Sequence, residues 1–311
     1  MTKQIKVYAP ATVANVTCGF DILGFAIDSL GDEVELKLSS TPGVRIVSIT
    51  GDNGRLPLIA KDNTTGGAII SMLKFLNSNQ GIEITLHKKM PLGSGLGSSA
   101  ASAVAGVVAL NYLLGTNLTK QELVTFALDG EKIASGAIHA DNVAPGILGG
   151  FTLVRGYDPL DIVSIPTPSD LYCSIIHPDI EINTKEARKI LSPTIKLTDA
   201  ITQWGNVAGL VTGLITSDYG LISRSMQDVV IEPCRAKLIP GFYAMKEIAL
   251  SNGALGAGIS GSGPSLFALS RDRFSAEKIA IAMKDACFNF ANLTSQIYVS
   301  KINLDGATVI D

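Results

Sequence analysis

The run Pro91-Leu92-Gly93-Ser94-Gly95-Leu96-Gly97-Ser98-Ser99-Ala100-Ala101 constrains this chain more than any other segment. It follows IEITLHKKM, whose alternation of apolar and polar residues reads as a strand, and it leads into residues 98–114, where small and apolar residues recur at helical spacing. Glycine lets the backbone turn sharply and approach a ligand closely. The free N–H groups of the first helical turn then face the loop, backed by the positive end of the helix dipole, which makes an anion site suited to phosphates. Ser98 and Ser99 add hydroxyls that can reach phosphate oxygens or a Mg2+ ion carrying them.

Other readings compete for these glycines. Gly95-x-Gly97-x-x-Ala100 fits the loose dinucleotide fingerprint, and Gly256-x-Gly258-x-x-Gly261 fits the strict one. The second follows a helix and leads into a strand, the wrong context, and the first lacks a clear acidic strand end about 20 residues on. A Walker loop needs Lys after its last Gly, and this loop has none. A plain turn stays open on composition alone. A hydrolase finds no support, because neither G-x-S-x-G nor H-E-x-x-H occurs.

The chain has 311 residues, enough for two domains with real cores. Its 46% hydrophobic and 17% charged content argues against disorder. A net charge of −3 without a basic run predicts no nucleic-acid partner. Cys18, Cys173, Cys234 and Cys287 form no CxxC pair, so reduced thiols are expected rather than zinc or disulfides. The N-terminus lacks a signal core, and the apolar stretch 100–114 is too short for a bilayer, which predicts a cytoplasmic protein with no membrane contact.

KQIKVYAPAT, EVELKLSS and VRIVSITG alternate as half-buried strands do, and NTTGGAIISMLKFLNS has helical spacing with Asn63 or Thr64 as its cap. Thr119 with Glu122 forms a capping box for the next helix. The Pro-rich IPTPSD at 165–170 predicts a junction between domains 1–166 and 167–311. Strands and helices mix without sustained βαβ spacing, so α+β is expected over a doubly wound sheet.

PLGSGLGSSAAS resembles the central motif of the GHMP family of small-molecule kinases. APATVANVTCGFDILGFAI resembles their N-terminal motif, and GALGAGISGSGPSLFAL their C-terminal glycine motif. The three lie in the family's order and cover the chain from end to end. GFDILG at 19–24, residues 131–150, NTKEARKIL at 183–191 and residues 227–241 are similar to the members that phosphorylate L-homoserine. The resemblance implies an N-terminal domain like the second domain of ribosomal protein S5, a ferredoxin-like C-terminal domain and an active site between them. It implies ATP and L-homoserine as substrates, Mg2+ as cofactor, a homodimer, and a product, O-phospho-L-homoserine, that feeds threonine synthesis. A different acceptor alcohol, or a nucleotide-binding member without chemistry, are the alternatives.

The resemblance also assigns residues. Phosphates would lie on Gly93 to Ala101, with Asn63 and Lys88 at the nucleoside end, although a surface position for Lys88 is a second reading. Ser99 and Glu131 would hold Mg2+; alone, Glu131 would read as a solvated helix carboxylate. Arg188 and Arg235 would clamp the acceptor carboxylate through their planar forks. Asn15 and Asp21 would receive its ammonium, His139 would line the pocket, and Thr184 would lie near the reacting hydroxyl. Gly261, within the stretch 258–265, would close over phosphates or acceptor, with a structural turn equally open for Ser260 and Ser262. Asn142 stands where mevalonate-type relatives hold an Asp, and Asp141 precedes it. An amide is no base near neutral pH. Either Asn142 orients the hydroxyl and the γ-phosphate takes its proton, or Asp141 is the base.

Overall fold

The structure, a computed structural model, describes residues 3–136 and 139–310. Its first half contains β1 (Gln4–Ala14), β2 (Leu23–Ser39), β3 (Val44–Thr50), α1 (Thr64–Phe75), β4 (Gly81–His87), α2 (Ser98–Leu114), α3 (Lys120–Ser135), α4 (Ala140–Leu148), β5 (Phe151–Tyr157) and β6 (Leu160–Ile165). Then follow β7 (Tyr172–Pro178), α5 (Thr184–Lys189), α6 (Leu197–Thr216), α7 (Tyr219–Ser225), α8 (Glu232–Arg235), α9 (Phe242–Ser251), β8 (Gly256–Ile259), β9 (Leu266–Ser270), α10 (Arg273–Ala291), β10 (Ser295–Lys301) and β11 (Thr308–Val309). The expected α+β class is what forms.

β1, β2, β4 and β3 build the first sheet in the order β11-β1-β2-β4-β3, with β5 and β6 added alongside β2. β2 is long enough to serve two partners: Leu23–Phe25 pairs with β5, and Glu33–Ser39 pairs with β4. The second sheet runs β10-β7-β9-β8, all antiparallel. Numbered within that sheet the order is 4-1-3-2, the ferredoxin-like arrangement. The segment proposed as the domain junction lies between β6 and β7, while β11 returns to pair with β1.

α2 has no solvent face over most of its length, because the first sheet lies on one side and α1 and α3 on the other. Small residues make that possible: a Cβ on Gly106 would stand 2.7 Å from the Thr65 methyl, and one on Gly130 would stand 2.4 Å from the Thr64 carbonyl oxygen. The tight α1–α3 contact places Glu131 on the buried side of α3. Asn63, not Thr64, caps α1, accepting from Thr65 N at 3.0 Å. Thr119 and Glu122 form the expected capping box on α3.

Candidate active site

β4 ends at His87, and the glycine loop begins four residues later. Gly93, Gly95 and Gly97 all have positive φ, at 68°, 77° and 70°. Alternation of left-handed residues along a loop turns successive carbonyls one way and N–H groups the other, an anion nest. The carbonyls point into protein: Ser94 O accepts from Ser265 N at 3.2 Å, Gly95 O from Ser260 Oγ at 2.8 Å, and Leu96 O from Thr12 N at 3.1 Å. Among the described residues, none of the N–H groups of Gly93 to Ser99 donates to a backbone carbonyl. The 17-residue helix α2 starts here without a side-chain cap, so its positive end is open to the cleft.

That cleft has a volume of about 630 Å³ and lies where the two sheets' loops meet. Of the loop residues, Leu92 to Gly95 and Gly97 to Ser99 line it. Pro91, Leu96, Ala100 and Ala101 do not line it; Leu96, Ala100 and Ala101 are core residues that hold the loop's far side. Both residues expected at the nucleoside end line the cleft. Lys88 is buried, which removes the surface reading: its ammonium donates to Asp32, to Ser98 O at 2.8 Å and to Ser102 Oγ at 2.6 Å. Asn63 caps α1 with its oxygen and donates one proton to Pro57 O at 3.1 Å. The Ser98 hydroxyl also turns away, donating to Asp32 at 3.0 Å.

Ser99 and Glu131 meet in the cleft, where the Ser99 hydroxyl hydrogen-bonds the carboxylate. Glu131 is buried, so the solvated-carboxylate reading is overturned. Burial pushes its pKa up to about 7, against the lowering effects of Ser99 and then Lys88. One carboxylate and one hydroxyl are hard oxygen donors, a set that suits Mg2+ when phosphates and waters complete the shell. A carboxylate must ionise before it can ligate. Were the pair to hold Mg2+·ATP, as the resemblance implies, affinity would weaken as pH falls through about 7, and binding near that pH would release protons. Isothermal titration in buffers of different ionisation enthalpy measures both; proton uptake, or a flat profile, would contradict this.

The other side of the cleft is charged. Arg188 forks onto Asp21, with Nη2 at 2.8 and 2.6 Å from the two carboxylate oxygens. Arg235, buried to 4% exposure, donates to Gly261 O at 2.8 Å. Phe20, which sequence reasoning passed over, lies beneath both guanidiniums, 5.5 Å from Arg188 and 4.9 Å from Arg235. Asn15 is in the left-handed region (φ 74°), donates to Gly261 O at 2.7 Å and accepts from Asp21 N at 3.1 Å. It thus holds Asp21, itself at φ 60°, in a conformation uncommon for non-glycine residues. The Gly261 carbonyl is the hub that joins Asn15 and Arg235. Ser260 is part of the structural turn through its bond to Gly95, and Ser262 reaches Thr184, with 3.2 Å between hydroxyl oxygens.

α4 brings the remaining residues. Asn142 Oδ1 accepts from Thr12 Oγ1 at 2.8 Å, which points its NH2 group elsewhere as a donor. A Cβ on Gly97 would sit 2.1 Å from that same Thr12 oxygen, so the loop and Asn142 are packed as one piece. Asp141 is buried, and its Oδ1 has no hydrogen-bond partner among the described residues; the same holds for His139 Nε2. Burial, and then the Asp21 charge, push the Asp141 carboxyl up to about 7, while burial lowers the His139 pKa. Asp32 was missed altogether. A single acid in a strand-like run carries no motif, and its meaning appears only when β4 and α2 fold against it.

Comparison with known proteins finds relatives along the whole chain. The family description "GHMP kinases N terminal domain" matches residues 63–150, and "GHMP kinases C terminal" matches residues 210–289. A homoserine kinase from Chloroherpeton thalassium is 50% identical over 99% of this chain and 100% of its own length. One from Xylella fastidiosa is 42% identical over 99% of this chain and 94% of its own. The crystal structure of homoserine kinase from Cytophaga hutchinsonii is 58% identical, with a TM-score of 0.97 over 100% of this chain and 98% of that one. L. major mevalonate kinase, at 17% identity and a TM-score of 0.71, shares the fold.

Proposed function

This chain belongs to the GHMP kinases, and from that premise we propose that it transfers the γ-phosphoryl group of ATP to the side-chain hydroxyl of L-homoserine. It is an ATP-dependent kinase with an alcohol acceptor, and O-phospho-L-homoserine is its product. The observation that carries the choice of acceptor is the charge pattern of one cleft wall. Arg188 and Arg235 stand over Phe20 beside Asp21 and Asp141. Two cations next to two acids complement a zwitterion. Mevalonate has a carboxylate but no ammonium, and galactose has neither, so both would leave part of this wall unmatched.

In the reaction as we read it, the N–H groups of Gly93 to Ser99 and the start of α2 hold the polyphosphate. Ser99 and Glu131 would hold Mg2+, which when bound neutralises charge on the β- and γ-phosphates. The acceptor carboxylate displaces Asp21 from Arg188 and takes Arg235 as its second partner, while the ammonium goes to Asp21. Asn142, fixed by Thr12, donates to the reacting hydroxyl. Phosphoryl transfer demands mainly position and charge stabilisation, so the γ-phosphate can take the hydroxyl proton. The structure makes Asn142 a donor, which favours this route. Asp141, buried and lining the same cleft, keeps the rival route specific. Asn142→Leu should cripple kcat while Asp141→Asn leaves it within about tenfold, because a general base contributes about 10²–10⁴-fold. Single-turnover kinetics decide it: loss of the chemical step in Asp141→Asn with homoserine binding retained would make Asp141 the base.

A second copy of the chain and a cytoplasmic location belong to the same reading. An exposed apolar stripe on α6, made of Leu197, Ile201 and Trp204, favours self-association. No helix among the described residues is long and apolar enough to cross a membrane. A coupled ADP-release assay on homoserine, mevalonate, shikimate and galactose tests the function. Turnover with homoserine far above the others is expected; preference for another alcohol would reassign the acceptor, and no Mg2+-dependent turnover with any would remove the kinase reading.

A further inference from the structure

The nucleotide cradle has a keystone that is not part of its surface. Asp32 lies on β2 at 0% exposure, beneath the turn that joins β4 to the glycine loop. Its Oδ1 accepts from Lys89 N at 2.8 Å and Met90 N at 3.2 Å, and its Oδ2 accepts from Lys88 Nζ, from Ser98 Oγ at 3.0 Å and from Ser102 Oγ at 3.4 Å. Lys88 in turn donates to Ser98 O and Ser102 Oγ. One buried ion pair therefore grips both flanks of the loop: the chain that enters it at 88–90 and the first turn of α2 that leaves it at 98–102. An ion pair with this burial gains little net stability over an apolar pair, because desolvation offsets its attraction. Its hydrogen bonds instead go to the backbone and hydroxyls that set the loop's position.

We propose that Asp32 and Lys88 are positioning residues for phosphoryl transfer, fixing where the loop N–H groups and Ser99 stand relative to Glu131. The proposal rests on the reading of this cleft as the ATP site. Ser98 lies directly before Ser99, so a shift of the α2 start moves the hydroxyl that bonds Glu131.

The test uses the full chain with Asp32→Asn, Lys88→Met and the double variant. Either single change can leave a buried charge unpaired and compromise folding; the double change removes both charges together and keeps the test valid. In the double variant we expect a cooperative fold and an unchanged KM for homoserine. The Kd for Mg2+·ATP should weaken about 10- to 100-fold, the range for outer partners of a metal site. A purely structural pair would weaken ATP and homoserine together instead of ATP alone. A folded double variant with wild-type ATP affinity overturns the proposal, as does equal weakening of ATP and homoserine. Wild-type protein that fails to bind Mg2+·ATP would instead refute the ATP site itself, so the two failures are distinguishable.

Discussion

Glu131→Gln should lower kcat/KM for ATP by about a hundred- to thousandfold, the cost seen when one preorganised group that stabilises the transition-state charge is removed. The amide keeps the size of the side chain and its buried place on α3, but it cannot supply an anionic oxygen to a metal. The same change should not weaken the folded protein. In the fold the Glu131 carboxyl is raised from its ordinary 4.5 to about 7. The native state thus binds more protons than the unfolded chain between those values, and the residue's contribution to stability declines as pH rises through that window. Above about pH 7 the charge is a burden that glutamine removes. Thermal unfolding without nucleotide should give the variant a Tm equal to or above that of the wild type at such pH, alongside the loss of turnover. A variant that retained full Mg2+-dependent activity would take Glu131 out of the chemistry. One that lost activity only by unfolding would make it a packing residue.

Arg235→Leu should act on the acceptor and leave ATP binding near normal. Arg235 is buried, holds Gly261 O at 2.8 Å and stacks on Phe20. Removing one arm of a buried, hydrogen-bonded charge pair costs about 2–5 kcal/mol, much of it from the partner charge left behind. For homoserine that partner is the α-carboxylate, so the loss should appear in the homoserine KM. Arg188→Leu differs in one respect: it also frees Asp21, whose carboxylate Arg188 holds. Arg188 is more exposed, at 41% of its side chain, so solvent screens the pair and the effect should be smaller than for Arg235. Steady-state kinetics with each substrate varied in turn separates these cases. A normal homoserine KM in Arg235→Leu would end the clamp assignment.

The glycine loop was legible because its chemistry is written in the backbone. Positive φ at every second residue demands glycine there, and a helix that starts just after them leaves donors with no other use. The capping box of α3 at Thr119 was legible for the same reason, and the cap of α1 was narrowed to Asn63 or Thr64, since each involves neighbours in sequence. Residues whose role depends on distant partners were not. Lys88 and Asp32 are 56 positions apart, and nothing in either neighbourhood signals that one will neutralise the other inside the wall. The three protons of the Lys88 ammonium go to Asp32, Ser98 and Ser102, contacts that no local pattern announces. Phe20 was passed over because an aromatic beside an acid carries no signature until two arginines from 188 and 235 converge on it. β11 escaped notice for a related reason: two exposed residues pair with β1 only because the preceding chain returns to the first sheet.

A crystal structure with Mg2+, a non-hydrolysable ATP analogue and L-homoserine tests the central claim most directly. The β- and γ-phosphates should lie within hydrogen-bond reach of the N–H groups between Gly93 and Ser99. The homoserine hydroxyl should approach the γ-phosphorus to about 3–3.5 Å, the separation of a near-attack pair. A nucleotide seated away from that loop, or an amino acid whose hydroxyl cannot reach the terminal phosphate, would contradict the account.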